Sequence, residues 1–175
     1  MITEKLGIDK RDVELLNLYM QNPQYSQSEV AQLMKLSQPS INARIARLKQ
    51  KGILSFSSGI NFNQTHLVLV RVDFSAKNPK ELLDRIKNCS FFVNAFNVSG
   101  KQNLSLFLAC EELKKAEEIV NKHLRTNQDV SDITMTILTS SVKDFLINLD
   151  MTREVDSKHC YTIGGCKECE NVKKI

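Results

Sequence analysis

Two stretches of this chain carry residues whose types and spacing could do chemistry. Near the C-terminus, His159-Cys160-Tyr161-Thr162-Ile163-Gly164-Gly165-Cys166-Lys167-Glu168-Cys169 places three cysteines and a histidine within eleven residues, at C-x5-C-x2-C spacing. Thiolates so spaced can converge on one soft centre. Gly164 and Gly165 allow a tight turn that aims N–H groups at sulfur, and Lys158 and Lys167 can offset thiolate charge. An iron–sulfur cluster of the 4Fe-4S kind fits Cys160, Cys166 and Cys169 with His159 as the further ligand. Zinc fits the same Cys3His set by ligand count, although the neighbours His159 and Cys160 rarely both face one tetrahedral ion. A thiol–disulfide switch between Cys166 and Cys169 is a third reading. The fourth is a tail whose cysteines have no specific task.

The second stretch is basic. Between Ser37 and Ile53 stand Arg44, Arg47, Lys49 and Lys51, and no acidic residue. Gln38, Ser40 and Asn42 precede them. Gln and Asn side chains can pair bidentately with adenine in a major groove. Arg44 suits guanine or phosphate, while Arg47, Lys49 and Lys51 suit phosphate. The expected partner is double-stranded DNA. The plainer alternative is a solvated basic helix in a three-helix bundle. RNA modules use aromatic stacking platforms, and this stretch has none. Charge is distributed accordingly: residues 1–60 hold eight Lys/Arg against five Asp/Glu, and residues 61–150 hold eleven of each. A basic bias in one third of the chain is what a phosphate-facing unit needs.

These side chains must be positioned by regular elements. Val13, Leu15, Leu16, Leu18 and Tyr19 predict a helix from about Asp9 to Met20, ended by Asn22-Pro23. Ser26-Gln27-Ser28-Glu29 reads as a capping box that opens a second helix, with Val30, Leu33 and Met34 inward. Ser37 is the expected N-cap of a third helix, with Pro39 in its first turn. Ile41, Ile45 and Leu48 share one face of it, and Gly52 stops it. The short turn Lys35-Leu36-Ser37 gives helix-turn-helix spacing. Ile53–Ile60 is expected to form a hairpin wing turned at Ser57-Ser58-Gly59.

The next segment changes period. Val68, Val70, Val72 and Phe74 alternate as a half-buried strand. Pro79 opens a helix with Leu82, Leu83 and Ile86. Phe92, Asn94, Phe96 and Val98 suggest a second strand, Leu104, Leu106 and Leu108 a third, and Ile133, Met135 and Ile137 a fourth. A helix with Leu113, Ala116, Val120 and Leu124 inward lies before the last. The order β-α-β-β-α-β is a ferredoxin-like split unit. Val142–Leu149 could add an edge strand. The fold class expected is therefore α+β. Residues 1–60 are a winged helix-turn-helix, 61–66 a polar linker, 67–150 a βαββαβ sensing and oligomerisation domain, and 151–175 a Cys/His-rich tail.

Ile8-Asp9-Lys10-Arg11-Asp12, Leu36-Ser37-Gln38-Pro39-Ser40, the run Arg44–Ile53 and the turn Val98-Ser99-Gly100 together resemble the leucine-responsive/asparagine-synthesis (Lrp/AsnC, feast/famine) regulators, over residues 4 to about 150. That resemblance implies dimers formed by sheet-to-sheet packing, often assembled into octamers, and palindromic DNA sites. It also implies an amino acid bound near the loop holding Gly100. The family commonly has Asp three positions after that glycine, then an aromatic residue. Here Asn103 and Leu104 stand there, and Asn lacks the charge that would favour an amino group. Gly100 and Asn103 are the ligand-binding candidates. The tail spacing is similar to, but not the same as, the three-Cys-plus-His set of Rrf2-type iron–sulfur regulators.

Other classes fit less well. No nucleophile–base–orienter set and no phosphate-cradling glycine loop is evident, so an enzyme is not expected. The N-terminus has no apolar signal region and no run spans a membrane, which points to the cytoplasm. Cys89 and Cys110 sit among apolar residues and read as packing. His66 and His123 are isolated. The expectation is a sequence-specific DNA-binding transcription regulator, a homodimer or higher homo-oligomer, answering a redox or metal signal through its tail. The alternative is an amino-acid-responsive regulator with a structural zinc or an incidental tail.

Overall fold

The computed structural model describes residues 2–87 and 89–149. His159, Cys160, Cys166 and Cys169 lie outside the described residues. The chain divides after Ser57 into two compact units.

The first unit holds α1 (Ile2–Leu6), α2 (Lys10–Gln21), α3 (Gln27–Met34) and α4 (Gln38–Gln50). α2 and α3 each begin with a capping box, the second of them the one expected at Ser26. The Asp9 carboxylate accepts from the Asp12 N–H at 2.8 Å, and Asp12 accepts from the Asp9 N–H at 3.0 Å. Ser26 and Glu29 do the same at the head of α3. Leu15, Leu16 and Tyr19 of α2, Val30, Ala31 and Met34 of α3, and Ile41, Ile45 and Leu48 of α4 bury one core together with Leu54. Leu33, expected inward, is 54% exposed. In this short helix the core stripe runs through Val30, Ala31 and Met34, and Leu33 falls off it.

The hairpin expected over Ile53–Ile60 does not form: residues 54–59 carry no regular structure. Side chains hold the start of this segment. Leu54 is buried, the Phe56 ring meets Tyr19 edge-on at 5.1 Å, and the Lys49 ammonium lies 5.2 Å over Phe56. Its far end, β1 (Ile60–Asn61), pairs antiparallel with β6 (Leu146–Ile147) in the second unit. Gly59 permits that approach, since a Cβ there would sit 2.9 Å from the Ile147 carbonyl oxygen.

The second unit contains β2 (Val68–Ala76), α5 (Pro79–Ile86), β3 (Phe92–Asn97), β4 (Leu104–Cys110), α6 (Leu113–Val120) and β5 (Val130–Leu138). The sheet order is β3-β4-β2-β5, all neighbours antiparallel. Each helix crosses over one intervening strand, so two split βαβ units interlock, as the βαββαβ order requires. Val70, Val72 and Phe74 join Leu104, Leu106 and Leu108 on one face, against Leu82 and Ile86 of α5 and Ala116, Ile119 and Val120 of α6. α6 runs on into a π turn, Asn121–Arg125, which keeps Leu124 buried. The opposite sheet face has a small core at one end, made by Phe62, Leu69, Ala109 and Ile147. The polar stretch 61–66 is folded onto that end. Asn61 bonds Asp144, Asn63 bonds Ser141, and the Phe62 N–H bonds the Phe145 carbonyl.

The turn after β3 is closed by Asn103. Its Oδ1 accepts from the Ala76 N–H at 2.9 Å and its Nδ2 donates to the Ala76 carbonyl at 2.8 Å. One amide thus satisfies both backbone groups at the end of β2. Gly100 sits at φ 148, in the region that favours glycine. An aspartate at 103 could accept from Ala76 but not donate to it, and would set charge against a carbonyl. Asn103→Asp should lower unfolding stability by about 1–3 kcal/mol, read by urea denaturation. An unchanged midpoint would mean that the clamp contributes nothing.

Candidate nucleic-acid interface

α4 is joined to α3 by a turn in which Lys35 adopts left-handed backbone (φ 53) and the Leu36 N–H returns to the Ala31 carbonyl. Ser37 occupies the N-cap position, but its side chain makes no capping bond. The first turn of α4 therefore starts without a side-chain cap, with Pro39 removing one donor.

The candidate residues divide between two faces of α4. Ser40, Arg44, Arg47 and Lys51 recur at i, i+4, i+7 and i+11 and form a stripe. Three of them bind the beginning of the chain. Arg44 Nη1 reaches Asp9 Oδ2 at 2.8 Å and Asp12 Oδ1 at 2.7 Å. Arg47 Nη2 bonds Asp12 Oδ2. Lys51 Nζ donates to the Gly7 carbonyl at 2.8 Å. The Asp12 side chain is 0% exposed, a buried carboxylate between two guanidiniums. Arg44 and Arg47, expected to read guanine or grip phosphate, are held by internal ion pairs, Arg47 with an exposed side chain. Gln38 and Asn42 are exposed, and so are Pro39, Ala43, Ala46 and Gln50 on the outward side. Sequence reasoning passed over the alanines because they are apolar. Their signal is small side chains at i, i+3 on a helix face left exposed among the described residues, where a duplex can approach closely and thymine methyls make apolar contact. Lys49 is exposed and lies over Phe56.

Electrostatics follow from this geometry. Burial alone would raise the Asp12 carboxyl. The Asp9 N–H and the Arg44 and Arg47 side chains outweigh it, leaving Asp12 below the ordinary value of 3.8. Asp9 is lowered too, first by the Arg44 hydrogen bond and then by the Asp12 N–H. The same bonds to Asp9 and Asp12 raise Arg44. In the second unit, burial pushes the Cys110 thiol up to about 12, so it stays protonated. Burial, with Lys122 and Arg85, lowers His123. Cys110 belongs to the helix-side core, and His123 lines a small cavity with Ile86, Ile119 and Leu124. Asn103 and Gly100 share the β3–β4 turn, and the Asn103 amide is taken up by Ala76.

A helix-turn-helix followed by a βαββαβ domain is the architecture of this chain. Residues 8–55 match the family model of winged helix-turn-helix DNA-binding, and residues 65–146 match that of the Lrp/AsnC ligand binding domain. The chain is a DNA-binding transcription regulator of the Lrp/AsnC type. It is 26% identical over 145 residues to an uncharacterized HTH-type transcriptional regulator of Pyrococcus abyssi, covering 80% of this chain and 97% of the relative. It shares its fold with E. coli AsnC at a TM-score of 0.66 and 16% identity, over 80% of this chain and 97% of that one. The same holds for a Neisseria meningitidis transcriptional regulator in complex with L-Met, at a TM-score of 0.65 and 16% identity, over 78% and 92%. The family is one of regulators rather than enzymes. Among the described residues no helix is long and apolar enough to cross a membrane.

Depressed carboxyl values stabilise the fold wherever the carboxylates are ionised. That contribution is complete above the ordinary 3.8 and is lost as pH falls through the lower folded-state values. At neutral pH Asp12→Asn should cost about 3 kcal/mol, because two arginines lose a buried partner. The gap between wild type and variant should close below pH 3.8. Acid-series denaturation followed by circular dichroism measures this. A gap that stays constant into acid would assign the loss to shape rather than charge.

Proposed function

We propose that this regulator reads duplex DNA sequence-specifically through the outer face of α4, as a homodimer or higher homo-oligomer such as an octamer. The observation that carries the reading is that face itself: Gln38, Asn42, Ala43, Ala46 and Gln50 are exposed together on a helix without an acidic residue. Gln38 and Asn42 supply donor–acceptor pairs for base edges, and the alanines permit close approach. Ser40 flanks this set, and Lys49 and Lys51 add positive charge near phosphate. Two copies related by a two-fold axis present two such helices to half-sites a whole number of turns apart.

The part of the sheet left open among the described residues supports self-association. Phe96 is 50% exposed and meets Phe107 edge-on at 5.7 Å. Arg71 and Asp73 pair beside them at 2.9 Å. An aromatic pair with a polar neighbour on an open face suits a second copy of the same sheet.

For the input signal we propose a redox or metal centre on Cys160, Cys166 and Cys169 with His159. Support comes from the soft donor set and its spacing. An iron–sulfur cluster would supply redox sensitivity there. Zinc would make the tail a structural element. An amino acid at the Gly100 turn is the competing input. A Neisseria meningitidis regulator of similar fold is in complex with L-Met. The engagement of Asn103 with Ala76 counts against such an input here.

Ala46→Glu should weaken binding to a promoter duplex roughly tenfold or more, about 1.4 kcal/mol, with the fold intact by circular dichroism. Phe107→Glu should shift the sedimentation profile toward monomer. Unchanged binding in the first variant, or unchanged assembly in the second, would remove the corresponding half of the reading. Among the described residues no cluster of three or more His, Cys, Asp or Glu is placed to hold a metal ion. Metal found at stoichiometry would therefore point to the tail. Protein purified without oxygen should contain iron and sulfide, and Cys166→Ser should lose them. Zinc without sulfide would assign a structural site, and no metal at all would discard the centre.

A further inference from the structure

By count alone, α4 and its C-cap offer phosphate four positive side chains and no negative one. Their geometry alters that count. Arg44 Nη1 contacts both Asp9 oxygens, at 3.0 and 2.8 Å, and Asp12 Oδ1 at 2.7 Å. Arg47 Nη2 contacts Asp12 Oδ2. Two guanidiniums and two carboxylates thus form a closed, electrically neutral group. Asp12 is fully buried in it, whereas the side chains of Asp9 and Arg47 are 52% and 44% exposed.

We propose that Asp9 and Asp12 are specificity-determining positioning residues, which withhold the Arg44 and Arg47 charges from phosphate and so limit sequence-independent DNA binding. The proposal deepens the DNA-binding reading above and rests on it. Binding to phosphate releases counterions, and each phosphate neutralised steepens the dependence of log K on log salt by about 0.9. That sequence-independent term competes with base reading for every site on a genome. Arginines tied to carboxylates contribute little to it, and the neutral side chains on the outer face of α4 are left to discriminate. The same ion pairs fix the orientation of α4 against α2, so Asp12 both places the reading face and neutralises its flank.

Asp9 is the member that can be altered with the fold kept, because asparagine also serves as an N-cap. The experiment uses the full chain, a fluorescein-labelled mixed-sequence duplex and anisotropy titrations over a salt series. The variants are Asp9→Asn, Arg44→Gln and the two combined, each checked for folding by circular dichroism. Asp9→Asn should bind the duplex several-fold more tightly at low salt, with a slope steeper by about 0.9. Arg44→Gln should keep the wild-type slope, and the double variant should return to it. Three results would overturn the proposal: an unchanged slope in folded Asp9→Asn, a steepening that persists in the double variant, or a slope flattened by Arg44→Gln alone. The last result decides the matter even if Asp9→Asn does not fold. A wild-type chain that bound no duplex at any salt would instead remove the DNA-binding reading beneath it.

Discussion

A carboxylate without solvent contact, held between two arginines, organises the DNA-binding unit. Desolvating an ion costs several kcal/mol, and it is tolerated when its lone pairs are filled and its charge is matched. Asp12 meets both conditions. It accepts from the Asp9 N–H, from Arg44 and from Arg47. The first turn of α2 is thereby tied to the middle of α4 across more than thirty residues of sequence. The apolar core beneath is non-directional and would accept small rotations of α4. Ion pairs with fixed guanidinium geometry allow far fewer.

That constraint also decides what α4 shows to solvent. Its apolar stripe faces the core, and the stripe through Arg44 and Arg47 faces α2. What is left outward is a face of small and amide side chains. Such a face suits groove reading by shape and hydrogen bonding more than by charge. The second unit follows a comparable logic. Its two helices pack on one sheet face, and β1, β6 and the Phe62 turn cover one end of the other. The aromatic pair Phe96–Phe107 stands on what remains.

Much of the fold was legible in the pattern of side chains. The period change near Val68, the capping box at Ser26 and the Gly52 stop are local signals, and each corresponds to an observed element boundary. The Asp9–Asp12 box was equally local. It went unread because aspartate at the third helical position is less familiar there than Glu or Gln. The hairpin over Ile53–Ile60 was misread for a different reason. Ser57-Ser58-Gly59 has hairpin turn chemistry, but the backbone of Ile60–Asn61 finds its partner in Leu146–Ile147, more than eighty residues away. No local rule identifies that partner. The basic helix was located correctly, while the ion pairs of its arginines were not legible, since pairing depends on what lies opposite.

By itself the sequence determined the order of elements, the helix-turn-helix spacing, the split βαββαβ pattern and which face of each element is apolar. These follow from side-chain periodicity and from caps that act within a few residues. Tertiary structure alone decided that both arginines of α4 are ion-paired, why Asn103 closes a turn instead of facing solvent, and where the chain after α4 finds its strand partner. Each of those outcomes requires residues distant in sequence to meet. Coulomb attraction and hydrogen bonding act over a few ångströms of space, whatever the length of chain between the partners.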